Sequence, residues 1–206
     1  RTCRNTKLSL YIPVMKNRFL FVGDRFWGID PSVGDMLADI LLVEFPRLPL
    51  EFSIHSSFRN TFEWLFANCP RDIIGRQAGA TLFCVGWEDC LGALTADQCV
   101  EGYRKLLHEV RRNSQTRILV LTLPVFQLES NSAMFTKVAA INHFLRDHAP
   151  ENDIHLIDLD AVFGEYQNAQ LVRGELARNL FTDNGTLGQL GKMLGAQTLA
   201  KEFKLS

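Results

Sequence analysis

The apolar run Phe19-Leu20-Phe21-Val22 ends at Gly23, and Asp24 and Arg25 follow at once. Four consecutive apolar residues leave no solvent face, so the run reads as a buried strand stopped by its glycine. Groups at the carboxyl end of such a strand face the crevice where open α/β sheets gather ligands. Arg25 cannot be a nucleophile or a base there, because its guanidinium stays protonated and offers only donors. It can hold an anion. Two other short segments carry reactive groups: Ile54-His55-Ser56-Ser57 and Gly86-Trp87-Glu88-Asp89-Cys90. A hydroxyl or thiol nucleophile needs a base within hydrogen-bond reach, so His55 with Ser56, Ser57 or Cys90 is the dyad these residues allow. No third group that would orient the histidine is identifiable. Glu88 with Asp89 or Asp183 offers the oxygen ligands that divalent cations take, but Arg25 nearby opposes a cation, and no metal is expected. Trp27 and Trp87 can wall a ligand crevice with Arg25 and Glu88, or cover a core edge with their indole nitrogens satisfied. His108, His143, His148 and His155 fall on helices or strand starts away from the crevice and read as surface residues.

The elements that position these groups alternate along the chain. Asp30-Pro31 reads as a helix start, since a carboxylate caps free amides and proline suits the first helical position. Val33, Leu37, Ile40 and Leu41 follow as its apolar stripe. Leu48 to Ile54 reads as a second strand, and Phe58, Phe62, Leu65 and Phe66 mark a second helix. Ala80 to Val85, ended by Gly86, is a third buried strand. Thr95 and Gln98 form a capping box for a helix through Cys99, Tyr103, Leu106, Leu107 and Val110. Arg117 to Leu121 is a fourth strand, Met134 to Leu145 a helix stripe, and Ile154 to Leu159 a fifth strand. Thr186 and Gln189 read as a capping box for a last helix along Leu187, Leu190, Leu194 and Thr198. Such alternation implies a parallel sheet with right-handed crossovers and helices on both faces, a three-layer α/β/α sandwich.

Length and composition agree with one domain. The chain has 206 residues, 47% of them hydrophobic, enough for a single buried core. Residues 1–18 carry Arg1, Arg4, Lys7, Lys16 and Arg18 with no acid and read as a basic segment or linker; 19–206 read as the domain. A start at Arg1 reads as a domain excised from a larger protein. Lysine and arginine number 22 against 23 aspartates and glutamates, with no long run of either sign, so a nucleic-acid partner is not expected. No apolar stretch reaches bilayer length, and a soluble domain is expected. The five cysteines, Cys3, Cys69, Cys84, Cys90 and Cys99, contain no C-x-x-C pair, which argues against a zinc ribbon and a disulfide framework. Reduced thiols favour the cytoplasm. The turn Asp24-Arg25-Phe26-Trp27 lacks the small, glycine-rich loop that cradles phosphate, so no flavin or nucleotide cofactor is expected.

The span from Arg18 onward resembles the SGNH/GDSL hydrolase superfamily, whose short blocks recur here in order. Its G-D-S block resembles Gly23-Asp24-Arg25, and its oxyanion-hole glycine corresponds to Ser57 or Ser56. Its G-x-N-D block resembles Gly86-Trp87-Glu88-Asp89, and its D-x-x-H block resembles Asp183-Asn184-Gly185-Thr186. Thr122-Leu123-Pro124, Ile141-Asn142 and Ile157-Asp158 resemble its fold-bearing positions. The resemblance implies a flavodoxin-like five-stranded sheet in the order 2-1-3-4-5. It also implies that arginine, serine, glutamate and threonine replace the family's serine, glycine, asparagine and histidine.

Acyl transfer needs a nucleophile, a base and donors aimed at the developing oxyanion. Arg25 cannot attack, Thr186 does not titrate near neutrality, and Glu88 would put negative charge where the family has an amide donor. Arg25 and Glu88 project from neighbouring strand ends, so a bidentate ion pair between them is expected, with Asp183 as the second choice of partner. The functional expectation is an inactive SGNH-like domain that binds or assembles with a protein. The alternatives are a divergent esterase or acyltransferase with a relocated Ser/His or Cys/His dyad, and a receptor for a small anion held by Arg25.

Overall fold

The structure is a computed structural model that describes residues 17–28, 31–124, 133–172, 180–182 and 186–203. Five parallel strands form one sheet in the order β2-β1-β3-β4-β5. They are β1 (Arg18–Gly23), β2 (Glu51–Ser56), β3 (Ala80–Cys84), β4 (Arg117–Leu121) and β5 (His155–Ile157). Among the described residues seven α-helices accompany them: α1 (Val33–Glu44), α2 (Phe62–Asp72), α3 (Trp87–Leu91), α4 (Ala96–Asn113), α5 (Ala133–Glu151), α6 (Leu159–Val172) and α7 (Gln189–Glu202). Each parallel neighbour requires a crossover, and the helices supply it.

The interior strands are apolar on both faces because both are covered. Phe19, Phe21, Phe52, Ile54 and Leu82 point toward α1, where Gly34 lies against the Phe21 ring. On the other face α2, α4 and α5 pack in series, with Tyr103 buried against Phe62. Register places the strand ends together: Gly23 lies opposite Ser56 on one side and Cys84 on the other.

Several local boundaries differ from the sequence reading. Helix α1 starts at Val33 and not at Asp30-Pro31; Pro31 precedes the helix and Asp30 lies outside the described residues. Ser32 is the cap, its Oγ accepting from the Asp35 N–H while the Asp35 carboxylate accepts from the Ser32 N–H. Strand β2 begins at Glu51 because residues before it turn, with the Leu48 N–H bonded to Phe45 O, and it continues through His55 and Ser56 against Val22 and Gly23. Phe58 precedes α2, and both it and Phe66 are exposed. The fifth strand is cut short because Asp158 accepts from the Ala161 N–H and starts α6, so Leu159 is helical. The Thr95/Gln98 capping box forms with both of its bonds. The Thr186/Gln189 box does not: α7 is capped by Gly188, with no side-chain bond at its start.

Candidate active-site crevice at the strand ends

Asp24 organises the crevice. It is fully buried at the end of β1; one carboxylate oxygen accepts from the Phe26 N–H at 3.1 Å and the other from the Trp87 N–H at 2.7 Å. The first bond caps the 3₁₀ turn Arg25–Trp27, and the second ties that turn to the start of α3. Burial pushes the Asp24 carboxyl up to about 7, and the nearby Glu88 charge adds to this, while the backbone donors oppose it. The residues beside these two bonds, Arg25 and Glu88, are thereby brought face to face.

The pair is two-pronged. Arg25 Nε donates to Glu88 Oε1 at 2.8 Å and Nη2 donates to Oε2 at 3.1 Å. The Arg25 side chain is 49% exposed and that of Glu88 only 10%, so the carboxylate depends on the guanidinium more than the reverse. Gly86 permits the turn into α3: its φ of +119° suits glycine, and a Cβ there would lie 3.1 Å from Ile141 and 3.2 Å from Phe62. Asp183, the second choice of partner, lies outside the described residues.

Asp89 turns elsewhere. Both of its oxygens accept from the Phe62 N–H at 3.2 Å, which secures the start of α2, and burial lifts its carboxyl to about 6. Glu88 and Asp89 therefore face different partners and do not form a shared cation site. Among the described residues no group of three or more His, Cys, Asp or Glu is placed to hold a metal.

The loop after β2 closes against β1. The Ser57 N–H donates to Gly23 O at 3.1 Å, and Ser57 Oγ accepts from the Arg59 N–H at 3.1 Å. The Ser57 amide is thus committed to the sheet and not offered to a developing oxyanion. Asn60, which the sequence reading passed over, is fully buried and donates to Gly23 O at 2.7 Å and His55 O at 2.9 Å. Its signal was a polar residue just before an apolar helix stripe.

A Ser56/His55 dyad is not formed. The two are consecutive in β2 and so point to opposite faces of the sheet. Ser56 Oγ sits on the α1 face beside Gly23, whereas the His55 ring stacks on Trp64 of α2 at 5.5 Å. Ser56 Oγ and His55 Nε2 are both buried without a hydrogen-bond partner among the described residues. Cys90 is 2% exposed, and its thiol is pushed well up by a hydrogen bond to Cys99 and by burial, which keeps it protonated.

The indoles are core, not wall. Trp27 is fully buried and Trp87 is 2% exposed, packed on either side of Phe26 with ring centroids 5.3 and 4.3 Å away. Among the described residues Trp27 Nε1 has no hydrogen-bond partner, which departs from the expected satisfaction of both indole nitrogens.

Thr186 reaches the same edge by another route. The Leu187 N–H donates to Phe26 O at 3.1 Å, and Phe181 and Leu187 form an antiparallel bridge. Thr186 Oγ1 meets Thr182 Oγ1 at 2.8 Å, an engagement that replaces the expected capping role. The fold-bearing positions also interlock: Asn142 brackets Leu123 with bonds to its N–H and C=O, and Thr122 donates to Asp158, which Arg146 holds.

No known family matches the chain by sequence, and no curated protein does either. Solved structures do match. A protein described as a GDSL-like lipase from Parabacteroides merdae superposes with a TM-score of 0.77 at 15% identity, covering 93% of this chain and 98% of that one. An acetylxylan esterase from Geobacillus stearothermophilus gives 0.73 at 17% identity, over 95% and 97%. Another acetyl xylan esterase gives 0.75 at 16% identity, over 89% and 98%. The chain has the SGNH hydrolase fold that these enzymes share.

Proposed function

We propose that this domain carries the esterase fold without esterase chemistry and serves as a protein-binding or assembly module. The observation that carries the reading is the Arg25–Glu88 pair, with nitrogen–oxygen distances of 2.8 and 3.1 Å. By the sequence resemblance, the pair stands where a nucleophile and an oxyanion donor belong. A guanidinium has no electron pair to attack a carbonyl, and a carboxylate beside a forming oxyanion raises the barrier. Thr186 supplies no base, and the Ser57 amide donates to Gly23 O. A binding role is supported by the rim of the crevice, where the Phe58 ring is 55% exposed and carries the Arg59 guanidinium 5.7 Å over its centroid.

The test is turnover of p-nitrophenyl acetate by the purified domain. No saturable rate above an inert protein control is expected. A saturable rate lost on replacing Ser57, Ser56, Cys90 or His55 overturns the reading in favour of a relocated nucleophile. A receptor for a small anion is the second reading, favoured by the half-exposed Arg25 side chain. Titration with acetate or phosphate, with Arg25→Ala as control, separates it from the first.

A further inference from the structure

Strand β2 is an edge of the sheet: it pairs with β1 on one side, and among the described residues no strand lies on the other. Two hydrogen bonds fix which of its backbone groups face the open side. The Glu51 N–H donates to Asn17 O at 2.8 Å and the Ser57 N–H to Gly23 O at 3.1 Å, and along a strand the bonding direction alternates from residue to residue. Glu51, Ser53, His55 and Ser57 therefore turn toward β1. The N–H and C=O groups of Phe52, Ile54 and Ser56 point outward, about 6.6 Å apart along the edge.

Sheet edges are ordinarily blunted by brevity, proline, lysine or a bulge. The opposite edge, β5, is only three residues long. Strand β2 has six residues with no proline or lysine, and it matches β1 residue for residue without a bulge. Its one acid, Glu51, stands at the first position, where Arg18 Nε donates to it at 2.7 Å. At the middle of the outward set the apolar Ile54 side chain is 37% exposed.

We infer that β2 pairs antiparallel with β2 of a second copy of this chain, about a twofold axis at Ile54, so that two sheets become one. A twofold normal to the sheet keeps each face with its like, and outward groups must meet outward groups. Ile54 then lies opposite Ile54, and Phe52 opposite Ser56 on either side, a register that exchanges up to about six backbone hydrogen bonds. The two half-exposed Ile54 side chains cover each other on the α1 face. Charge favours a copy in this orientation as well: the acidic start of one strand, Glu51, comes beside the end of the other, where Ser57 leads to the exposed Arg59. Opposite charges meet at both ends, and within the strand no like charges are opposed. The inference stands apart from the crevice, because association through this edge does not depend on whether the domain hydrolyses esters.

The test is sedimentation velocity of the whole chain over a concentration series, with amide hydrogen exchange read residue by residue by NMR at both ends of the series. A monomer–dimer equilibrium is expected. On dimerisation the Ile54 and Ser56 amides should become slow to exchange, whereas those of Ser53 and His55, turned toward β1, are slow at every concentration. Ile54→Lys sets like charges across the axis and should raise the dimer dissociation constant at least about tenfold; if that variant does not fold, the exchange pattern of the wild type decides alone. A chain that stays monomeric throughout the series, or a dimer whose Ile54 and Ser56 amides exchange as fast as in the monomer, overturns the proposal.

Discussion

Arg25 and Glu88 depend on one another unequally, because solvent reaches half of the arginine side chain and little of the glutamate. Arg25→Ala leaves a nearly enclosed carboxylate without its partner, and we expect a loss of about 1–3 kcal/mol, toward the lower end because the pair is solvent-screened on one side. Arg25→Met with Glu88→Leu removes both charges, and the double variant should lose less than Arg25→Ala alone. Urea unfolding of the three proteins measures the coupling; equal losses in the single and double variants would show that Glu88 does not need the pair. Asp24 gives a pH prediction. Burial holds its carboxyl at about 7 in the fold, against an ordinary value of 3.8, and that of Asp89 at about 6. Between these values the folded protein keeps protons that the unfolded chain has released. Stability from these groups is therefore highest below pH 4, falls as pH rises to 7, and levels off above. Each contributes a slope of up to about 1.4 kcal/mol per pH unit. His148 is lowered by burial and by Arg104 and acts in the opposite sense near its ordinary range, so the informative comparison is with Asp24→Asn. Urea midpoints from pH 4.5 to 7.5 should fall less steeply in that variant than in the wild type.

At the scale of elements, the loops beyond the strand ends are held by buried side chains that bond to backbone. Asn60 joins the ends of β1 and β2, Asp89 secures α2, and Asn142 in α5 satisfies both backbone groups of Leu123 after β4. Asn142 is 1% exposed, so water cannot replace it. Asn142→Leu leaves an N–H and a C=O buried and unpaired, at about 1–3 kcal/mol each. A shift of the urea midpoint without a change in its slope is the expected record; a midpoint unchanged from wild type would show that the loop finds other partners. Thr186 belongs to this scale too. Its segment is fastened by the Leu187 bond to Phe26 and by the Thr182 contact, not by the helix cap that T-x-x-Q spacing suggests.

At the scale of the molecule, the five-stranded sheet in the order β2-β1-β3-β4-β5 belongs to a chain that superposes on a lipase and esterases over nearly its whole length. We expect restoration of that chemistry to fail. The variant combining Arg25→Ser, Ser57→Gly, Glu88→Asn and Thr186→His should turn over p-nitrophenyl acetate no faster than wild type, because the amide at position 57 already donates to Gly23 O and no surrounding shell preorganises the new groups. A rate rising at least about tenfold would show that the shell survives. The alternation of strand and helix, the buried runs of β1, β3 and β4, and the Thr95 box were legible in the chain, because periodicity and capping act within a few residues of sequence. The Arg25–Glu88 pair was also legible, since both residues follow strands that the fold must set side by side. Tertiary structure alone decided the rest. It sent His55 and Ser56 to opposite faces, made Asn60 a clasp, buried Trp27 and Trp87 around Phe26, and turned Asp89 away from Glu88. Each of these outcomes depends on a group distant in sequence or on which face of the sheet a strand presents, and local pattern holds no information about either.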